Sequence, residues 1–192
     1  MTDRFGEQAS REKPRRNSPH FQAAPPASAT ASVFISYRRD DTAAYAGRLF
    51  DRLGARFSEE SIVIDLRLEP GADWVAAVES TVGAADIGLV LIGPQWAGGS
   101  DVDGTRRLHD PGDMVRREID VMLNSPRTLT VPVLVGGARM PMPQDLPEEL
   151  RALSCLQALE VSDTRWDYDV ARLIDVIESA AASDAVPGLR FP

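Results

Sequence analysis

One cysteine in 192 residues, Cys155, excludes a disulfide within the chain and is what a reducing compartment permits. It sits between Leu153 and Leu156 and reads as a core position rather than a nucleophile. Only two histidines occur, His20 and His109, too few for a histidine-based metal site, and His109 reads as solvated in a polar loop. Asp101, Asp103, Asp110 and Asp113 match no calcium-loop spacing and read as loop solvation, so no metal is assigned. The longest near-apolar run, Ile87–Pro94, falls far short of the roughly 20 residues that cross a bilayer. Arg15-Arg16 is followed by polar residues and proline rather than an apolar segment, so no export signal is read and a cytoplasmic location is expected. No glycine-rich dinucleotide fingerprint follows a strand. No phosphate loop ends in Gly-Lys-Ser/Thr, and no Gly-x-Ser-x-Gly elbow is present.

Charge is unevenly spread. The first 31 residues hold five of the 21 basic groups and three of the 29 acidic ones, so the remainder carries a net charge of −10. Such a body repels phosphate backbones, and nucleic acid is not expected as a ligand. Residues 1–31 have almost nothing apolar to bury and read as a disordered tail. Residues 32–181 read as the single domain, and 182–192 as a flexible C-terminal tail.

Within the domain, strand and helix signals alternate. Val33–Tyr37 is a short β-favouring run, followed by a helix with Tyr45, Leu49, Leu53 and Phe57 on one face and Asp40 or Asp41 as its cap. Ile62–Asp65 reads as a strand, Leu66–Asp73 as a loop and 72–82 as a helix. Ile87–Ile92 is apolar at every position, as the middle strand of a parallel sheet buried on both faces should be. A loop rich in Gly and Asp leads to a helix over 113–123. A strand over Leu129–Val135, a proline-rich loop, an edge strand over Leu156–Val161 and a helix over 167–181 complete the order. Five strands alternating with helices predict an α/β fold, a parallel sheet covered on both faces with ligand-binding loops at one edge. Trp96 after Gly93-Pro94 reads either as pocket lining or as an aromatic closing the core, and Trp166 as packing for the last helix.

Phe34-Ile35-Ser36-Tyr37-Arg38-Arg39, Asp65, Glu69-Pro70-Gly71 before Trp74, Asp113-Met114-Val115-Arg116-Arg117-Glu118-Ile119, Val131-Pro132-Val133-Leu134-Val135 and Leu146-Pro147 occur in that order. Together they resemble the TIR domain family, bacterial members and the animal axon-degeneration enzyme in particular. The resemblance implies a flavodoxin-like five-stranded sheet and cleavage of NAD+, as substrate rather than cofactor, to nicotinamide and linear or cyclic ADP-ribose in signalling or defence. It implies Glu118 as the catalytic carboxylate. Arg38 and Arg39 suit the diphosphate by charge, Tyr37 and Trp74 offer faces for nicotinamide or adenine, and Ser36 and Trp96 join the expected substrate-binding set. Many active relatives carry Trp where this chain has Met114. Expected partners are a second copy, met through the Leu66–Asp73 loop, and a separate sensor protein. The alternative reading is a non-catalytic association module of the same fold.

Overall fold

The computed structural model describes residues 31–64, 71, 73–99, 104 and 106–184. Its strands are β1 (Val33–Ser36), β2 (Ile62–Val63), β3 (Ile87–Ile92), β4 (Leu129–Val135) and β5 (Leu159–Val161). Its helices are α1 (Arg39–Phe57), α2 (Trp74–Ala84), α3 (Met114–Asn124) and α4 (Trp166–Asp184). All strand pairs are parallel, in the order β2-β1-β3-β4-β5. This is the flavodoxin-like order, and the uniformly buried β3 lies at its centre as its composition requires.

The period of two along each strand divides the interior into two cores. Val33, Ile35, Leu89, Leu91, Val133 and Val135 meet Leu49 and Leu53 of α1 and Val170, Leu173 and Ile177 of α4. Phe34, Val90 and Ile92 point the other way, to Val78 and Val82 of α2, Ile119 and Met122 of α3, and Leu146, Leu150 and Leu153. A Cβ at Gly88 of β3 would lie 2.6 Å from the Met122 sulfur, so the glycine lets α3 settle directly on the sheet.

Several expectations are corrected. Ala31, assigned to the tail, is buried in the first core, and α4 continues past Ala181 to Asp184. Helix α1 has Arg38, not Asp40 or Asp41, at its N-cap; both aspartates lie in the first turn, where they oppose the positive helix end. The proline-rich loop contains 3-10 segments over Pro143–Asp145 and Glu148–Cys155. At three residues per turn, Leu150 and Leu153 share the buried side. Cys155 falls off that side and is exposed, so it is not a core residue. Leu156 closes this segment as its C-cap, and the fifth strand, expected from Leu156, begins only at Leu159. Asp65, Glu69, Pro70 and most of the Leu66–Asp73 loop lie outside the described residues, as do Asp101 and Asp103.

The N-terminal edge of the sheet is fastened by Asp86. Its Oδ2 accepts from the Ser32 N–H at 2.9 Å and the Ser32 hydroxyl at 2.8 Å, and its Oδ1 from Arg127 at 2.7 Å. Partial burial pushes its carboxyl up, but the Ser32 and Arg127 hydrogen bonds outweigh that and hold it below the usual carboxylate range. A depressed folded-state pKa contributes stability that is present above the unfolded value of about 3.9 and is lost as pH falls through the folded value. Asp86→Asn is therefore expected to lower the melting temperature by roughly 2–6 °C at pH 7, for a loss of about 1–2 kcal/mol. The gap to wild type should narrow steadily below pH 4 in thermal melts; a gap constant to pH 2.5 would refute the assignment.

Candidate functional site

The opposite edge holds the site. The chain crosses from β1 to β2 on one side and then to β3 on the other, so the C-terminal ends of β1 and β3 part at the point where such sheets receive ligands. A cleft of about 330 Å³ opens there, at the small end of the usual ligand-pocket range. Tyr37, Arg38 and Arg39 from the β1–α1 turn, Ile64 after β2, Arg107, and Asp113, Met114, Val115 and Glu118 around the start of α3 line it.

Glu118 reaches the cleft wall from the second turn of α3 and is only 7% exposed. A carboxylate that far out of water needs a donor. Strand alternation supplies one, because Ser36, like Phe34, faces α3 and its hydroxyl donates to Glu118 Oε2 at 2.6 Å. The register of α3 is held one turn earlier. Asp113 caps the helix by accepting the Arg116 N–H at 2.8 Å, and the same carboxylate accepts both terminal nitrogens of Arg38, at 3.0 and 3.1 Å. Arg38 is 4% exposed, and its Nε is buried without a hydrogen-bond partner. Its charge is thus countered within the protein rather than presented to solvent.

The chain after β3 contributes Arg107. Asp41 accepts the Gln95 N–H at 3.2 Å, and Asp40 pairs with Arg107 at 2.9 Å, which brings Arg107 to the cleft. This approach requires Gly93, where a Cβ would lie 2.4 Å from Asp41 Oδ2 and 2.6 Å from Thr42 Cγ2. Arg107 carries no sequence signal of its own, standing in a polar loop beside Arg106. Asp113 was legible as part of a motif but not as the partner of Arg38.

Of the residues expected from sequence, Glu118, Tyr37, Arg38 and Arg39 meet in this one cleft, and Ser36 lies beneath it. The two tryptophans do not line it. Trp96 is 1% exposed and belongs to the second core, which corrects its assignment to substrate binding. Trp74 opens α2, packs half-buried on the same core and lies 5.4 Å under the Arg117 guanidinium. His109 is exposed, and its carbonyl accepts from Arg116 at 2.8 Å. Arg116 also pairs with Glu149, whose carboxyl its own backbone N–H and this guanidinium hold below the usual range. Arg116 and Glu149 border a second, smaller cleft of about 220 Å³ between α2 and α3. Among the described residues, no group of three or more His, Cys, Asp or Glu is placed to hold a metal, and no helix is long and apolar enough to cross a membrane.

The sequence model of the family described as "TIR domain" matches residues 33–174. Among solved structures, the chain is similar to the TIR domains in the structure of the activated Roq1 resistosome directly recognizing the pathogen effector XopQ. That match has 14% identity and a TM-score of 0.56, over 76% of this chain and 98% of that one. A metazoan TIR-STING receptor from C. gigas matches at 21% identity over 83% of this chain and 43% of that one, with a TM-score of 0.39.

Proposed function

The chain belongs to the TIR domain family, and on that premise we propose that it is an NAD+ glycohydrolase, acting in the cytoplasm in signalling or defence and releasing nicotinamide and linear or cyclic ADP-ribose. The observation that carries this reading is the Glu118 carboxylate, buried in the wall of a cleft at the sheet's switch point and fixed there by Ser36. Nicotinamide in NAD+ is cationic at its ring nitrogen and departs as a neutral molecule. The leaving group therefore needs no proton. What the reaction needs is stabilisation of the oxocarbenium-like ribose, and one carboxylate in a poorly solvated wall supplies it, without the second carboxyl group of ordinary glycosidases. Arg39 and Arg107, the latter paired with the exposed Asp40, line the cleft and suit the diphosphate by charge, and Tyr37 lines it with an aromatic ring suited to a base. The direct test is release of nicotinamide from NAD+ by the purified, concentrated protein; no release at any concentration would refute the reading.

The cleft, at about 330 Å³, is small for a dinucleotide, which supports a site completed by a neighbouring subunit through the Leu66–Asp73 loop. The similarity to a domain solved within a resistosome is in keeping with such assembly. Turnover per molecule is then expected to rise at least about tenfold between dilute and concentrated protein, and Pro70→Asp should flatten the rise. Constant turnover over that range would remove self-association from the mechanism.

One observation favours the non-catalytic association module. Arg38, expected at the diphosphate, has both terminal nitrogens taken by Asp113. The nicotinamide assay separates the two readings, since only the enzyme predicts product.

A further inference from the structure

Ser36 belongs by sequence to the expected substrate-binding residues, yet it is 1% exposed and does not line the cleft. Its hydroxyl reaches the catalytic candidate, 82 residues away in sequence, donating to Glu118 Oε2 at 2.6 Å. The serine hydroxyl donates and the carboxylate oxygen accepts, at the short end of the O–H···O range. The two ends of this bond differ in freedom. Ser36 ends β1, past the pairing with β2, and is in register with Val90 of the central β3, so its Cβ is held by the sheet. Glu118 projects from a helix on three rotatable bonds, so its carboxylate takes its orientation from the groups that hold it, the Ser36 hydroxyl among them.

We propose that Ser36 is a positioning residue of the reaction: its buried hydroxyl anchors Glu118 Oε2 to the end of β1 and so fixes the plane in which the carboxylate meets the developing ribosyl cation. This rests on the NAD+-cleaving reading and deepens it. Electrostatic stabilisation is effective in proportion to how little the stabilising group must reorganise, and this bond removes that reorganisation before substrate arrives.

The experiment compares Ser36→Ala, Ser36→Thr and Ser36→Cys, each in the full chain and in the Glu118→Gln background, reading nicotinamide release and thermal unfolding. Ser36→Ala is expected to lower kcat roughly 10–100-fold, the range for a hydrogen bond to a charged group, with KM within about twofold. Ser36→Thr, which keeps the hydroxyl, should recover most of kcat, and Ser36→Cys, a weak donor of similar size, should fall between. In the Glu118→Gln background the alanine variant should cost less than about twofold more, because the group it positions is already gone. A folded Ser36→Ala with wild-type kcat overturns the proposal. So does an equal loss in both backgrounds, which marks a merely structural role. If the alanine variant does not fold, the threonine and cysteine variants carry the comparison, and equal kcat in both overturns it. Lack of turnover in the wild-type chain overturns the NAD+-cleaving reading and this proposal together, whereas wild-type turnover with kcat retained in Ser36→Ala overturns this proposal alone.

Discussion

Glu118→Gln is expected to lower kcat for nicotinamide release by about 10²–10³-fold while leaving KM close to wild type. Glutamine keeps the length of the side chain and a carbonyl oxygen that still accepts from Ser36, so the local geometry survives the substitution. What disappears is the negative charge facing the ribose. In the ground state the positive charge of NAD+ lies on the nicotinamide ring; as the glycosidic bond opens it passes to the ribose facing this poorly solvated carboxylate, where the attraction is stronger. The loss therefore belongs to the transition state and appears in kcat. Melting temperature should move by only a few degrees. A folded Glu118→Gln that releases nicotinamide at the wild-type rate would leave the carboxylate as a structural group and favour the association module.

Much of this arrangement was legible in the sequence, for physical reasons that differ from element to element. The middle strand declared itself because burial on both faces leaves no room for a polar residue in Ile87–Ile92. Glu118 was legible only through its motif, since a glutamate between Arg117 and Ile119 on an amphipathic helix otherwise reads as solvated surface. Its burial and its serine partner come from the pairing of β1 with β3 and the docking of α3, which no local pattern encodes. Trp96 illustrates the converse. Its position after a strand-end Gly-Pro suited either pocket or core, and the tight approach of Gly93 to Asp41 and Thr42 decides for the core by folding the segment back over the second hydrophobic cluster. Leu146, Leu150 and Leu153 were hidden by Pro141, Pro143 and Pro147, which signal irregular chain although 3-10 turns accommodate them. Arg38 was assigned by charge alone. Charge says nothing about which anion a guanidinium will meet, and the one it meets is Asp113, at 3.0 Å.

That pair carries the largest stability effect expected in the molecule. Arg38 and Asp113 are 4% and 8% exposed, and their bidentate contact ties the β1–α1 turn to the N-terminus of α3. Removing one partner leaves the other charge buried and uncompensated, which costs about 3–5 kcal/mol; Arg38→Met should therefore lower the melting temperature by roughly 6–15 °C. Asp113→Asn leaves the guanidinium unopposed but retains a good helix cap, so its loss should be smaller. The two changes should not add. In Arg38→Met/Asp113→Asn no charge remains unpaired, and most of the stability should return, with a coupling of at least about 2 kcal/mol. Arg38→Lys should rescue poorly, because one ammonium cannot meet both carboxylate oxygens in the fork geometry. Because Asp113 also fixes the first turn of α3, Arg38→Met should reduce kcat even at temperatures where the protein is fully folded, and the double variant should regain stability more completely than activity. Strictly additive losses in the melts would show that the two side chains lie side by side without supporting each other, and the account of how α3 is held in register would fall with them.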